Sequence, residues 1–299
     1  MKNIASILLF YIGFIACQSP DRTANNLHDN NLDSIAASIN GQEHKHYLAE
    51  HFWDDIPLAD SIPTVRLQYF QQSLVDYLYI LNTLQTTIAK KMLKEFLQKK
   101  ITSTVLLLQT SDFFENHLYN PLSPLRNDEL YAIFLEYKLT FPDIEDIYLV
   151  RTRYQLNIIS KNKVDHIAEN FTYTTPKLQK QSLFDVKSKY TLLYFYNPDC
   201  PYCEDTTVKM SRSRILQKLT STRQELRILA ICTESTQKKW SDHIVSLPKN
   251  WINGYNNKIS TQQLYDLRAL PSLYLLDREK KVILKDATFQ QIETILSEI

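Results

Sequence analysis

Two short apolar runs constrain this chain more than anything else in it. Tyr190-Thr191-Leu192-Leu193-Tyr194-Phe195-Tyr196 and Leu226-Arg227-Ile228-Leu229-Ala230-Ile231-Cys232 are rich in β-formers and almost free of polar residues. Runs of that length read as strands buried on both faces. Between them Val208, Ile215, Leu216 and Leu219 share one side of an amphipathic stretch, so the segment predicts a βαβ unit with a parallel pair. Downstream, Leu273–Leu276 and Val282–Leu284 flank Asp277-Arg278-Glu279-Lys280 and predict a hairpin, and Thr288–Ser297 predicts a closing helix. The order βαβ…ββα predicts an α/β sandwich of four or five strands.

Cys200-Pro201-Tyr202-Cys203 stands at the junction of the first strand and the helix. Two cysteines at that spacing can close a disulfide across one turn. The first sulfur falls at a helix N-terminus, whose partial positive charge favours thiolate over thiol. That is redox chemistry, with Cys200 as nucleophile and Cys203 as resolving thiol. A structural staple is the alternative, but closing so short a loop restricts the unfolded chain little. Half of a zinc site is another; no second C-x-x-C or suitably spaced His pair follows, so no metal is expected there. Cys232 lies inside a buried run and reads as a small hydrophobe.

The N-terminus reads as an export signal over residues 1–16. Lys2 supplies the positive start, Ile4–Ile15 is apolar but too short to span a bilayer, and Phe14-Ile15-Ala16 precedes Cys17. That ending resembles the lipobox of bacterial lipoproteins, which implies lipid on Cys17, an anchor in the cell envelope and a periplasmic location. An ordinary cleaved signal is the alternative, although no A-x-A-like site offers another cut. Residues 17–46 are polar and read as a disordered tether. His44, His46 and His51 with Glu43 or Glu50 could bind a metal, but at the end of such a tether they read as solvated.

Residues 47–170 read as a helical domain. Leu67, Phe70, Leu74, Tyr77, Leu78 and Leu81 recur at helical spacing, as do Ile88, Met92, Leu93, Phe96 and Leu97. With Ser103–Tyr119, Asp128–Lys138 and Asp143–Ile159 they make about five helices, punctuated by Pro121, Pro124 and Pro142. The 18 tyrosines invite a cofactor-box reading, but periodic aromatics are more often core. Arg126 and Trp251 stand out in local context as candidates for partner contact. The formal net charge of +1 carries no footprint for nucleic acid, and three glycines, Gly13, Gly41 and Gly254, cannot build a phosphate loop or dinucleotide fingerprint.

Phe195-Tyr196-Asn197-Pro198-Asp199-Cys200-Pro201-Tyr202-Cys203, followed some seventy residues later by Leu270-Pro271-Ser272-Leu273-Tyr274-Leu275-Leu276-Asp277, resembles a thioredoxin-fold domain over residues 171–299. It most resembles the TlpA-type thioredoxin-like lipoproteins of Bacteroidota. Ser123-Pro124-Leu125-Arg126-Asn127-Asp128-Glu129-Leu130-Tyr131 and Trp251-Ile252-Asn253-Gly254-Tyr255 resemble further segments of those proteins, in which a helical domain of unknown function comes first.

The resemblance implies an exported thiol-disulfide oxidoreductase whose redox centre is the Cys200–Cys203 pair, without other cofactor. Its partners would be exported protein disulfides and an upstream thiol donor. It further implies that Pro271 is a cis-proline facing the dithiol and that Pro201, Tyr202 and Leu270 contact substrate. Reduction, rather than oxidation, is the direction the family suggests. Three departures stand out. Tyr194 occupies the place of the buried carboxylate of thioredoxins, Thr206 that of the Glu after the motif in many TlpA-like proteins, and Asp199 puts a negative charge beside Cys200. Glu204 and Asp205 read as residues favoured at a helix start rather than as catalytic acids. Ser272 carries no expected role. The competing reading is a non-catalytic binding lipoprotein that uses the thioredoxin fold as a scaffold.

Overall fold

The computed structural model describes residues 41–56 and 64–298. The export signal, Cys17 and residues 17–40 of the tether lie outside the described residues, as does the side chain of Leu67. Residues 1–56 and 57–299 are two separate compact units. In the first, α1 (Gly41–His51) is helical. The helix takes in residues 41–46, which composition assigns to the tether. Polarity misled there, because Gln42, Glu43 and Lys45 are polar and also good helix formers.

The second unit opens with α2 (Thr64–Asn82), α3 (Thr86–Lys100), α4 (Thr104–Phe114), α5 (Asp128–Lys138) and α6 (Asp146–Ile159). α4 runs on into a π-helical turn, Glu115–Tyr119. The periodic apolar residues are the ones that bury: Phe70, Leu74, Tyr77, Leu78 and Leu81 on α2, and Met92, Leu93, Phe96 and Leu97 on α3. Ser103 caps α4 by accepting from Leu106 N at 3.2 Å, and Asn127 caps α5 by accepting from Glu129 N and Leu130 N at 3.1 and 3.0 Å. Each cap stabilises its helix by roughly 1 kcal/mol. α6 begins at Asp146, three residues later than expected, because a turn after Pro142 intervenes.

The rest of the unit is built on one mixed sheet. Its strands are β1 (Thr172–Thr174), β2 (Lys180–Ser182), β3 (Tyr190–Tyr196), β4 (Leu226–Cys232), β5 (Ile252–Tyr255), β6 (Ser272–Leu276) and β7 (Val282–Leu284), in the order β2-β1-β5-β4-β3-β6-β7. β3 and β4 are parallel in the register Tyr190↔Leu226 to Tyr196↔Cys232, and β6 and β7 form the expected antiparallel hairpin. Seven strands stand where the sequence predicts four or five. The additional ones, β1, β2 and β5, are three or four residues long, too short to show a period. The crossing segment also differs from expectation. It breaks at Ser213 into α7 (Pro201–Arg212) and α8 (Arg214–Gln217), because the Ser213 hydroxyl accepts from Leu216 N and starts a new helix. Val208 consequently lies on the outer side, while Met210, Leu216 and Leu219 bury. α9 (Gln237–His243) follows β4, and α10 (Phe289–Ser297) closes the chain, capped by Thr288.

Alternation along the central strand separates two cores. Leu192, Tyr194 and Tyr196 pack with Cys203, Met210, Leu216 and Ile292 on one face; Leu193 and Phe195 pack with Phe171, Tyr265 and Tyr274 on the other. Gly254 lies in β5 where a Cβ would come within 2.5 Å of Ile231 Cδ1 and 2.6 Å of Tyr173 Cδ2, so the strand needs glycine for close packing.

Candidate active site

Cys200 is the N-cap of α7, in extended backbone, with Pro201 at the first helical position. Proline suits that position because its missing N–H would have had no helical partner. The Cys200 Sγ accepts from Cys203 N at 3.3 Å, so a sulfur does the work that a Ser or Asp oxygen usually does at a cap. The Cys200 thiol also reaches the Leu270 carbonyl at 3.6 Å. Leu270–Pro271 is a cis peptide bond. The structure therefore brings together Cys200, Cys203, Leu270 and Pro271, which lie some seventy residues apart in sequence. Pro201 and Tyr202 sit on the outside of the same turn, with Tyr202 77% exposed beside the partly exposed Cys200.

Cys203 is buried, and burial pushes its thiol well above the ordinary value, with the Cys200 hydrogen bond and the Glu234 charge acting the same way. All three described cysteines are free thiols. Cys232 is fully buried, as the apolar run predicts, and burial pushes its thiol up to about 12.

Tyr194 takes up the place of a buried carboxylate in a specific way. Its hydroxyl donates to the Cys203 carbonyl at 2.8 Å and pairs with Thr207 Oγ1 at 2.9 Å, tying β3 to the first two turns of α7. Burial holds that phenol un-ionised. The ring stacks on Tyr196 at 5.3 Å and meets Trp251 edge-on at 6.1 Å. Trp251, a candidate for partner contact in the sequence, is a core residue packed against Tyr194. Glu204 and Asp205 are exposed at the start of α7, where Asp205 pairs with Lys209 at 2.6 Å, in keeping with a helix-start role. Asp199 does stand beside Cys200, but Lys239 Nζ lies 2.7 Å from its carboxylate and offsets that charge. The ring of His243 lies 5.5 Å from that of Tyr196, and burial lowers its affinity for a proton, against the pull of Glu204 and Asp199. Among the described residues, no three His, Cys, Asp or Glu side chains cluster closely enough to hold a metal ion. His44, His46 and His51 lie on α1, where His51 Nδ1 is 2.7 Å from Asp54.

Sequence reasoning missed the surroundings of the proline. Ser272 is fully buried, and its hydroxyl donates to Asp286 Oδ1 at 2.8 Å. The other oxygen of Asp286 accepts from Arg126, the second candidate for partner contact, which turns out to have its partner within the chain. Two residues before Leu270, Arg268 pairs with Asp128 at 2.6 Å and Asp266 at 3.2 Å. The signal available in the sequence was Arg126-Asn127-Asp128, three polar residues at the start of an amphipathic helix, but its target lies more than a hundred residues away.

A family model described as "Thioredoxin-like" matches residues 188–282, and one described as "Domain of unknown function (DUF5106)" matches residues 16–162. A solved thioredoxin-like protein from Bacteroides caccae superposes with a TM-score of 0.83 at 33% identity, covering 88% of this chain and 95% of that one. The C-terminal domain of an uncharacterized Bacteroides fragilis protein is 38% identical over 46% of this chain and 98% of its own, with a TM-score of 0.44. The thioredoxin domain of a thiol-disulfide oxidoreductase from Bacteroides vulgatus is 19% identical over 46% of this chain and 96% of its own, with a TM-score of 0.40. No curated protein matches the chain.

Proposed function

This chain belongs to the thioredoxin-like proteins, with a DUF5106 domain ahead of the thioredoxin fold, and we propose that it is an exported thiol-disulfide oxidoreductase that reduces protein disulfides. The observation that carries the reading is the placement of Cys200. Its sulfur caps α7, is partly exposed, and faces the Leu270 carbonyl beside Pro271, while Cys203 lies buried one turn behind it.

In the reaction, the Cys200 thiolate attacks one sulfur of the substrate disulfide. The substrate S–S bond breaks, a mixed disulfide forms, and the other substrate sulfur leaves as a thiolate that takes up a proton. Cys203 then loses its proton and attacks Cys200 Sγ, expelling the second substrate sulfur. Substrate gains two electrons and two protons, and the protein is left with the Cys200–Cys203 disulfide. An upstream thiol donor returns it to the dithiol by the reverse exchange. Burial keeps Cys203 as a thiol, and it closes the pair only when the mixed disulfide on Cys200 supplies the bond to attack and the departing substrate sulfur takes up the electron pair. Pro201, Tyr202 and Leu270 form the contact surface for the substrate chain, and no further cofactor enters.

Cys17 is the lipid anchor in this reading and the chain works in the periplasm. Among the described residues no helix is long and apolar enough to cross a membrane. Replacing Cys17 with Ser should move the protein from the membrane to the soluble fraction, and unchanged partition removes the anchor. The activity is tested by insulin reduction with dithiothreitol as donor. Wild type should accelerate it, Cys200→Ser should abolish the acceleration, and Cys203→Ser should accumulate mixed disulfides visible by mass spectrometry. Acceleration that survives Cys200→Ser overturns the mechanism, and a wild-type chain without activity supports the scaffold reading.

A further inference from the structure

Helical and thioredoxin parts of residues 57–299 meet at the proline loop through a cluster of six charges. The helical part contributes Arg126, just before α5, and Asp128, its first residue. The thioredoxin part contributes Asp266, Arg268, Lys285 and Asp286. Arg268 is the hub: its Nη2 lies 2.6 Å from Asp128 Oδ1, its Nη1 donates to the Tyr119 carbonyl at 2.8 Å, and its guanidinium stacks 3.7 Å over the Tyr119 ring. Lys285 Nζ lies 3.5 Å from the other oxygen of Asp128 and donates to the Ile159 carbonyl at 2.7 Å. Arg126 pairs with Asp286, and Asp286 in turn receives the Ser272 hydroxyl.

These contacts bracket Leu270–Pro271. Arg268 holds the chain two residues before Leu270, and Ser272 holds it immediately after Pro271, each bound through a charged group to the helical part. The Leu270 carbonyl between them is the one 3.6 Å from Cys200 Sγ. An apolar contact of the same area would hold two domains together equally well. Directional ion pairs and hydrogen bonds do something else: they fix the position of backbone on which a third chain must align. From this juxtaposition, and resting on the oxidoreductase reading above, we infer that Arg126 and Asp128 of the helical domain are positioning residues for substrate. They act through Asp286 and Arg268 to hold the Leu270–Ser272 backbone where a substrate strand pairs beside Cys200. The DUF5106 domain is then part of the docking site for protein disulfides.

The test uses the full chain with Arg126→Gln and two disulfides: insulin, which has a backbone to align, and bis(2-hydroxyethyl) disulfide, which has none. Arg126→Gln should raise KM for insulin about fivefold to tenfold with kcat within about twofold, the pattern of lost ground-state binding, and leave turnover of the small disulfide unchanged. Arg126→Lys, which keeps the charge on Asp286, should recover most of the insulin KM; if the Gln variant does not fold, Asp286→Asn, which breaks the same pair from its other side, takes its place with the same expected rise in KM and the same overturning result. Wild-type KM in a folded Gln variant overturns the inference. So does an equal loss on both disulfides, since it would mark general damage to the dithiol. A wild-type chain that reduces neither disulfide overturns the oxidoreductase reading and this inference with it, whereas an active wild type with an unaltered variant overturns this inference alone.

Discussion

Replacing Arg268 with Met keeps a side chain of similar length and removes the charge that Asp128 and Asp266 share. In the native chain burial acts against both carboxylates. At Asp128 it is outweighed by Arg268, Lys285 and Arg126, and the carboxyl sits below its ordinary value; at Asp266 burial wins and the carboxyl sits above it. Without the guanidinium, Asp128 keeps Lys285 at 3.5 Å and Arg126 at 4.0 Å. Asp266 loses its 3.2 Å ion pair, and the Tyr119 carbonyl loses its 2.8 Å donor. Leaving a buried charge uncompensated costs about 3–5 kcal/mol.

A ceiling applies to that cost, because Asp266 can take up a proton instead. Protonation costs about 1.4 kcal/mol for each pH unit above the unperturbed carboxyl value of about 3.9, hence about 4 kcal/mol at pH 7 and about 1.5 kcal/mol at pH 5. In the variant the folded state binds this proton at a pH where the unfolded state does not, so its stability rises relative to the native chain as pH falls. Urea unfolding should therefore show a loss of about 3–4 kcal/mol at pH 7 that shrinks by about 2 kcal/mol at pH 5. A loss under about 1 kcal/mol, equal at the two pH values, would refute the argument that Arg268 is the counter-ion of this junction.

Three further outcomes can be checked separately. Cys200 in the reduced protein should react with iodoacetamide at least about a hundred times faster than Cys203, which is buried and held as a thiol; comparable rates by mass spectrometry would argue for a structural pair. The buried Cys232 keeps a proton that the unfolded chain gives up near pH 8.5, so stability should fall as pH rises from there toward about 12. Between pH 7.5 and 10, under reducing conditions, the native chain should lose about 2 kcal/mol more than Cys232→Ala, and equal losses would contradict this. Gly254→Ala forces a methyl against Ile231 and Tyr173 and should cost about 1–3 kcal/mol by thermal unfolding; an unchanged melting temperature would mean that the strands part freely.

The sequence by itself determined the elements whose cause is local. Strands β3 and β4 follow from their unbroken apolar runs, and their parallel pairing from the helical segment between them. The five helices that open the second unit follow from stripes at helical spacing and from caps such as Ser103 and Asn127. The C-x-x-C at a strand-to-helix junction specified the cap that Cys200 forms, because the cap needs only the residues of that turn. Tertiary structure decided whatever depends on an unlike partner far along the chain. β1, β2 and β5 are too short to carry a period and become strands only by pairing with a sheet that already exists. Tyr194 donates a hydrogen bond to the Cys203 carbonyl because α7 lies over it, and Trp251 is core because Tyr194 is there to pack against. In sequence Arg126 stands out only as a candidate for contact with an outside partner, and nothing connects it with Asp128, Arg268 or Asp286. They join only when the helical and thioredoxin parts close on each other, since the stability of a buried ion pair belongs to the pair and to the low-dielectric junction around it, and no window of sequence contains both partners.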